Sequence, residues 1–401
     1  MDPITITINI VSLLIGYFIG SVNPGYLFGK LKGIDIREEG TRNAGTANVY
    51  RTLGLVYAIP TALYDALKGL LVIFITLTMG ADPFFANLAG IAAILGHIFP
   101  FYLKFRGGQG VACATGILLF YLVSYMALNL NILFFLFYLM ILVVIFTYVS
   151  KVGNLLAVII LPPLTYFVFI NYPGNLYNIF FTLILAQIIA IGLYNIIHRK
   201  LIIIKDENFK TRWWRVATRP FAILFVIFYI FYSQGVALVI IGIVALCFIG
   251  LDVSRIIHKQ TDELLTERVK LIFKKSESKK FSSMTIFLCA AFITILLFEK
   301  PIAITALVFL IFGDIFSKIF GLAFGRHKIF DKTLEGTLAY IGSVLIIGYV
   351  LFTLLDINLG ILIVGGITAP LVELFSFQLN DNFTVSIISG TTMTVAKFFG
   401  L

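Results

Sequence analysis

Apolar runs of about 20 residues recur from one end of this chain to the other, and each is long enough to cross the hydrocarbon core of a bilayer. About fourteen fall near 4–27, 56–79, 84–103, 111–129, 131–149, 153–170, 176–197, 219–233, 235–251, 284–298, 301–320, 337–355, 358–377 and 383–400. Backbone in lipid must satisfy its own hydrogen bonds, so such runs fold as helices. The expected fold class is therefore all-α, a polytopic transmembrane helical protein of about 14 spans in two helical membrane domains. Of the 401 residues only 12% are charged, against about 25% in ordinary soluble domains, which excludes a soluble globular protein. The first run follows Met1-Asp2-Pro3 with no basic segment before it and leads into a polar motif at Gly20, so it reads as a retained span.

The formal net charge of +10 is not spread evenly. All lysines and arginines except Lys68, Lys300 and Lys397 lie in alternate connections, at 28–55, 104–110, 150–152, 198–219, 251–283 and 318–336. The positive-inside rule makes these connections cytoplasmic and puts the N-terminus outside, as expected of a multi-pass plasma-membrane protein. The charge then answers to headgroups and phosphates, and no soluble basic domain exists to present it to nucleic acid. Cys113, Cys247 and Cys289 stand singly in apolar runs, a pattern of small core fillers that supports neither a disulfide nor zinc.

The sharpest compositional break, HRKLIIIKDENFKTRWWRVATR at 198–219, is basic and carries Trp213 beside Trp214, as interfacial segments do. It sets the expected boundaries: a seven-span domain over 1–200, a basic interfacial linker over 201–219 and a second membrane domain over 220–401. A further polar loop, 252–283, reads as an amphipathic helix with Leu264, Leu265, Val269, Ile272 and Phe273 on one face.

In the first half, GHIFPFYLKFRGGQGVACATG (Gly96 to Gly116) interrupts an apolar context with two cations, a glutamine and a run of glycines. Gly107 and Gly108 permit a tight turn and close approach of backbone to a ligand. Gly110 and Val111 then open a helix whose first amides lack internal partners, a ready anion site with Lys104 and Arg106 beside it. A second loop on the same face holds Gly40, Arg42, Asn43, Gly45, Asn48 and Arg51, so two loops can converge on one phosphorylated ligand. Between them Asp65 and Lys68 sit one helical turn apart inside a span, where ionisable groups cost a few kcal/mol each. His97 reads as a tie for the backbone at the turn.

Together GSVNPG, DIREEGTRNAGTANVYRTLG, DALKG and GHIFPFYLKFRGGQGVA resemble the acyl-phosphate-dependent glycerol-3-phosphate acyltransferases of bacterial membranes, over residues 4 to about 200. The resemblance implies a seven-span fold that transfers an acyl group from acyl phosphate to glycerol 3-phosphate, giving lysophosphatidic acid without a cofactor. Carried over by position, the phosphate pocket draws on Thr41 where the family has serine, on Arg51, and on Gln109 where the family has lysine. The candidate phosphate contacts are Ser21, Thr41, Asn43, Asn48, Lys104, Arg106, Gly107, Gly108, Gln109 and Asn195, with Arg51 as the catalytic cation. The family's late histidine precedes an asparagine by three residues. Aligning Asn195 puts Gly192 at the histidine, and aligning His198 puts Leu201 at the asparagine.

In the second half, FGDIFSKIFGLAFGRHKIFDKTLEGTLAY places Asp314 and Lys318 one turn apart in an apolar run, followed by Arg326, His327, Lys328, Lys332 and Glu335. Basic residues among glycines suit a polyphosphate, and neighbouring carboxylates suit a bridging magnesium ion. Glu373 lies late in a span, with Asp381 and Asn382 beyond it. The ordered blocks GD…FGRHK…KTLEGT and E…DNFTV, with KKFSSMT upstream, resemble the CTP-dependent lipid kinases of dolichol, phytol or diacylglycerol, themselves similar to phosphatidate cytidylyltransferases. That resemblance implies CTP as donor, Mg2+ as cofactor and a membrane lipid alcohol as acceptor. From residue chemistry, Asp314 would be the metal or catalytic carboxylate and Arg326, Lys328, Lys332 and Glu335 the nucleotide contacts.

The sequence thus reads as an acyltransferase fused to a CTP-dependent lipid-alcohol kinase, both sites facing the cytoplasm. The alternatives are a cytidylyltransferase behind a first half that only binds phosphate, and a lipid or phosphate-ester transporter. Transporters tend to place buried ionisable groups at the bilayer midplane, whereas these motifs cluster on one face.

Overall fold

The computed structural model describes residues 2–202, 222–268, 280–375 and 380–401. Helices begin where short polar side chains can cap them. Asp2 accepts from the Thr5 amide at 2.7 Å ahead of α1 (Pro3–Ser21), Asn23 caps α2 (Pro24–Leu31) and Asp82 caps α5 (Pro83–Ile98). In each case proline follows in the first helical turn, where its missing N–H costs nothing. The intervening helices are α3 (Thr46–Leu53) and α4 (Leu55–Thr78); α6 (Val111–Leu128), α7 (Asn131–Ser150), α8 (Gly153–Asn171) and α9 (Tyr177–His198) follow. Beyond them come α10 (Ile223–Phe231), α11 (Gln234–Ile257), α12 (Lys259–Arg268), α13 (Ser283–Leu297) and α14 (Lys300–Phe324). A two-residue hairpin, β1 (Lys328–Ile329) with β2 (Lys332–Thr333), leads into α15 (Leu334–Leu354), α16 (Leu359–Phe375) and α17 (Asp381–Phe398).

The fold is all-α and polytopic, with 10 helices among the described residues long and apolar enough to span a bilayer. Four of the expected spans fall short of that standard. Among the described residues the run at 219–233 yields the nine-residue α10, and α13 and α16 have 15 and 17 residues. In α17 the polar DNFT opening and its serines and threonines lower the apolar character.

The chain divides into two compact units, residues 1–141 with 153–201, and residues 142–152 with 202–401. The second unit therefore takes in the end of α7, which the sequence assigned to the first domain. The linker beyond residue 202, with Trp213 and Trp214, lies outside the described residues, as do Val269, Ile272 and Phe273 of the polar loop.

In the first unit α1 lies directly against α5. A Cβ at Gly16 or Gly20 would enter the backbone of Ala89 or Ala93, and one at Gly96 would enter that of Tyr17. Lipid tails are as apolar as leucine, so helices associate in a membrane through such close contact of small residues and through hydrogen bonds. The bonds are present: Tyr121 donates to Asn87 Oδ1 at 2.7 Å, and Tyr125 to Asn178 Oδ1 at 2.8 Å. The second unit is built around α14, whose spanning window is 78% buried while no other candidate span exceeds 50%. At the base of α11, buried Asp252 accepts from Arg255 Nη1 (2.8 Å), the Ser282 amide (2.7 Å) and the Thr285 hydroxyl (2.5 Å). That knot fastens α11 to the start of α13.

Candidate functional site

The turn after α5 is shaped by its own backbone. After a 3-10 turn at Phe101–Leu103, Lys104 and Phe105 both take left-handed φ, at 54° and 58°. The chain then folds back so that the Gly107 amide donates to Ile98 O at 3.0 Å and the Gly108 amide to His97 O at 3.1 Å. Gly110, at φ 75°, starts α6 with no side chain capping its first amides. These first amides have no side-chain partner, and the positive end of the helix dipole lies beside them. A Cβ at Gly108 would overlap His97 Nε2. Lys104 and Arg106 are exposed beside the turn.

The loop between α2 and α3 is tied to this turn. Arg37 forks onto Asp35 at 2.9 and 2.6 Å, donates to Leu103 O at 2.9 Å and lies 4.9 Å over the Tyr26 ring. The Arg37 hydrogen bonds hold the Asp35 carboxyl below its ordinary pKa and outweigh the opposing effect of partial burial. Arg106 pairs with Glu38 at 3.8 Å, though both are exposed and the pair contributes little.

Two expected phosphate contacts in this loop prove to be fasteners. Buried Asn48 donates to Ile36 O, Glu39 O and Asn43 O at 2.8, 3.0 and 2.8 Å, and its Oδ1 accepts from the Thr41 amide at 2.6 Å. Asn43 Oδ1 accepts from the Gly45 amide at 2.9 Å. Ser21 is likewise turned inward, its hydroxyl donating to Tyr17 O at 2.7 Å in its own helix. Thr41 is half-buried, and Arg51 is exposed on α3 with no hydrogen bond or ion pair among the described residues. Replacing Asn48 by alanine removes the shared donor of three carbonyls. The loop is then expected to lose about 3 kcal/mol of local stability, read as faster amide exchange across 36–43.

On the other side of the turn lies a chain of amides. Gln109 Nε2 donates to Asn195 Oδ1 at 3.1 Å, Asn195 Nδ2 donates to Asn154 Oδ1 at 3.3 Å, and Gln187 Nε2 donates to Gln109 O at 3.1 Å. Of the late polar residues on α9, Asn195 reaches the turn, whereas His198 stacks on Tyr194 at a centroid distance of 5.1 Å.

Beneath the turn sits a buried cluster only partly foreseen. The Lys68 ammonium donates to Asp65 Oδ1 at 2.9 Å and to Val22 O at 3.2 Å, and lies 2.6 Å from His97 Nδ1. The side chains of Asp65 and Lys68 have no exposure, and that of His97 has 2%. The sequence paired Asp65 with Lys68 by their spacing but gave His97 only a backbone task. Its carbonyl does hold the Gly108 amide, while its ring completes the ion pair. The Asn23 amide, two residues after Ser21, donates to Tyr102 Oη at 3.2 Å, and Tyr102 donates to Ser21 O at 3.1 Å, closing the floor.

The second unit gathers its own ions. Buried Asp314 pairs with Lys318 at 2.6 Å. Lys332 on β2 lies 2.7 Å from both Glu373 on α16 and Asp381 at the start of α17. Ser317, nearly one turn after Asp314, donates to Glu373 Oε1 at 3.2 Å. Partial burial pulls the Lys332 pKa down, but the two carboxylates outweigh it and hold the ammonium above its ordinary value. Glu335, expected among the nucleotide contacts, acts as a clasp: it accepts from the Arg326 and His327 amides at 2.9 and 3.2 Å and pairs with both side chains. Asn382 donates to Ser283 O at 3.3 Å and so faces α13. Lys328 is exposed. Among the described residues no three His, Cys, Asp or Glu side chains form a metal cage. Magnesium with a nucleotide needs only one or two carboxylates plus phosphates. Glu373 and Asp381, already bridged by a cation, meet that requirement, with Asp314 on the adjacent helix.

Fold and site define an integral membrane protein whose first unit carries a glycine turn running into an uncapped helix start. Residues 10–203 match the family described as Glycerol-3-phosphate acyltransferase, so the N-terminal half is similar to that family. The glycerol-3-phosphate acyltransferase of Thermotoga petrophila is 48% identical over 106 residues, 26% of this chain and 54% of the relative. That of Bacillus subtilis is 46% identical over 110 residues, covering 27% and 56%. The chain spans about half the length of the curated relatives it matches. The crystal structure of PlsY (YgiH), an integral membrane glycerol 3-phosphate acyltransferase, in its glycerol 3-phosphate form is 28% identical, covering 47% of this chain and 90% of that chain at a TM-score of 0.38.

Proposed function

We propose that the first unit transfers an acyl group from acyl phosphate to glycerol 3-phosphate, producing lysophosphatidic acid at the cytoplasmic face of a plasma membrane. The observation that carries this reading is the glycine turn at 107–110, which opens α6 uncapped inside the segment matching the acyltransferase family. A glycerol hydroxyl attacks the acyl carbonyl carbon, the bond from that carbon to the phosphate oxygen breaks, and inorganic phosphate departs as the hydroxyl proton is released. Charge gathers on the departing phosphate, where the α6 amides, Lys104, Arg106 and Arg51 are suited to stabilise it. The turn displays no strong nucleophile, which favours direct transfer between two aligned substrates. The neutral Gln109–Asn195 pair supplies hydrogen bonds where the family has a lysine. Arg51→Ala is expected to lower kcat/KM by about 100-fold while leaving the fold intact. Unchanged kinetics would remove Arg51 from the site.

For the second unit we propose phosphorylation of a membrane lipid alcohol by CTP. Supporting this reading is the convergence of Lys332, Glu373 and Asp381 at the ends of three elements, with Ser317 of the helix that carries Asp314 donating to Glu373. Mg2+, when bound, would supply positive charge to offset that of the triphosphate. Asp314, Glu373 and Asp381 would hold it, and Lys332 and Lys328 would orient the triphosphate. CTP labelled in the γ-phosphate is expected to label the lipid. Label released as pyrophosphate would instead indicate a cytidylyltransferase.

A further inference from the structure

The His97 ring lies against Gly108 of the turn, and its neighbours fix which ring nitrogen faces it. An ammonium has three protons, and Lys68 has three acceptors within reach: Asp65 Oδ1, Val22 O and His97 Nδ1. Nδ1 lies closer to Lys68 (2.6 Å) than to Asp65 (3.3 Å), so it accepts from the ammonium. A proton on Nδ1 would face that ammonium across a hydrogen-bonding distance in a buried site, which low dielectric makes costly. The ring proton therefore belongs on Nε2. That nitrogen has no hydrogen-bond partner among the described residues, and it packs against Gly108 at the floor of the turn.

We infer that His97, held as its Nε2–H tautomer by Lys68 and Asp65, donates a hydrogen bond to a phosphate oxygen seated in the 107–110 turn. The inference rests on the proposed acyl transfer for the identity of that phosphate, whether acyl phosphate or glycerol 3-phosphate. His97 is the contact, and Lys68 and Asp65 are positioning residues that act through it.

Two measurements on the full chain in lipid nanodiscs test this. In 15N spectra of histidine-labelled protein, the resonance lost in His97→Gln identifies His97. It is expected to report one Nε2–H tautomer, with Nε2 shifting as inorganic phosphate is titrated. An imidazolium, an Nδ1–H tautomer or a signal indifferent to phosphate overturns the inference. The paired variant Asp65→Asn with Lys68→Met removes both buried charges together and is expected to give mixed tautomers. A single unchanged tautomer there contradicts the positioning role.

In kinetics, His97→Phe keeps a ring without the donor and is expected to raise KM about 10-fold for one phosphorylated substrate, with a smaller change in kcat. His97→Gln, which retains a donor, is expected to recover most of that loss. Determining KM separately for acyl phosphate and for glycerol 3-phosphate tells which phosphate is held. Equal losses of kcat in both variants at unchanged KM would make His97 merely structural. A phosphate-dependent Nε2 shift in a protein that forms no lysophosphatidic acid would keep the contact and discard the acyl-transfer reading. Acyl transfer without the shift would do the reverse.

Discussion

Gly108→Ala is expected to reduce acyl transfer by about 100-fold while the helices remain folded. The added methyl would occupy the place of His97 Nε2. The ring cannot step aside, because Nδ1 is held by Lys68 and the His97 carbonyl holds the Gly108 amide. The turn must move instead, and a displacement of about 1 Å between reacting groups costs on the order of 100-fold. Gly153→Ala is the matched control, since a Cβ there meets nothing within 4 Å. It should leave turnover unchanged. Kinetics of the two variants in one lipid preparation, with helicity followed by circular dichroism, check the result. Near-normal activity in Gly108→Ala would mean that the turn is not where phosphate sits.

Lys332→Met is expected to destabilise the second unit by about 3 kcal/mol and to abolish CTP-dependent phosphorylation. Glu373 is 2% exposed and shares the Lys332 ammonium with Asp381. Removing the cation strands two carboxylates together, and breaking a buried pair from one side costs about 3–5 kcal/mol. The lower figure applies because Lys332 and Asp381 keep 24% and 26% side-chain exposure. Adding Glu373→Gln to Lys332→Met should recover much of the stability but none of the activity. The sign of the pH effect follows from the raised Lys332 pKa. Its stabilisation is fully present below the unfolded lysine value of about 10.4 and is lost only as pH rises through the higher folded one. The stability difference between wild type and Lys332→Met is therefore expected to hold steady from about pH 6 to 9. Denaturant unfolding of both proteins across that range measures it.

What could be read from the chain alone was what depends on local chemistry. Apolar run length gave the helices, and Gly107, Gly108 and Gly110 announced a turn into a helix N-terminus. The one-turn spacing of Asp65 and Lys68 likewise announced their pair. Groups whose partners lie far off in sequence were not legible. Lys68 meets His97 from 29 positions away, and Gln109 meets Asn195 from 86. Asn48 looked like a phosphate ligand because an asparagine beside arginines and glycines fits that description. Only the closed loop brings three carbonyls to its amide. The partners of Glu335 were hidden in the same way, since they are amides beside a hairpin that hydropathy does not reveal.

The most direct test of the first unit supplies purified full-length protein in lipid with an acyl phosphate and labelled glycerol 3-phosphate, then extracts the lipid product. Labelled lysophosphatidic acid, reduced about 100-fold by Gly108→Ala and by Arg51→Ala, is the expected result. No labelled lipid from the wild type, and none when Gln109→Lys restores the family's cation, would contradict the assignment.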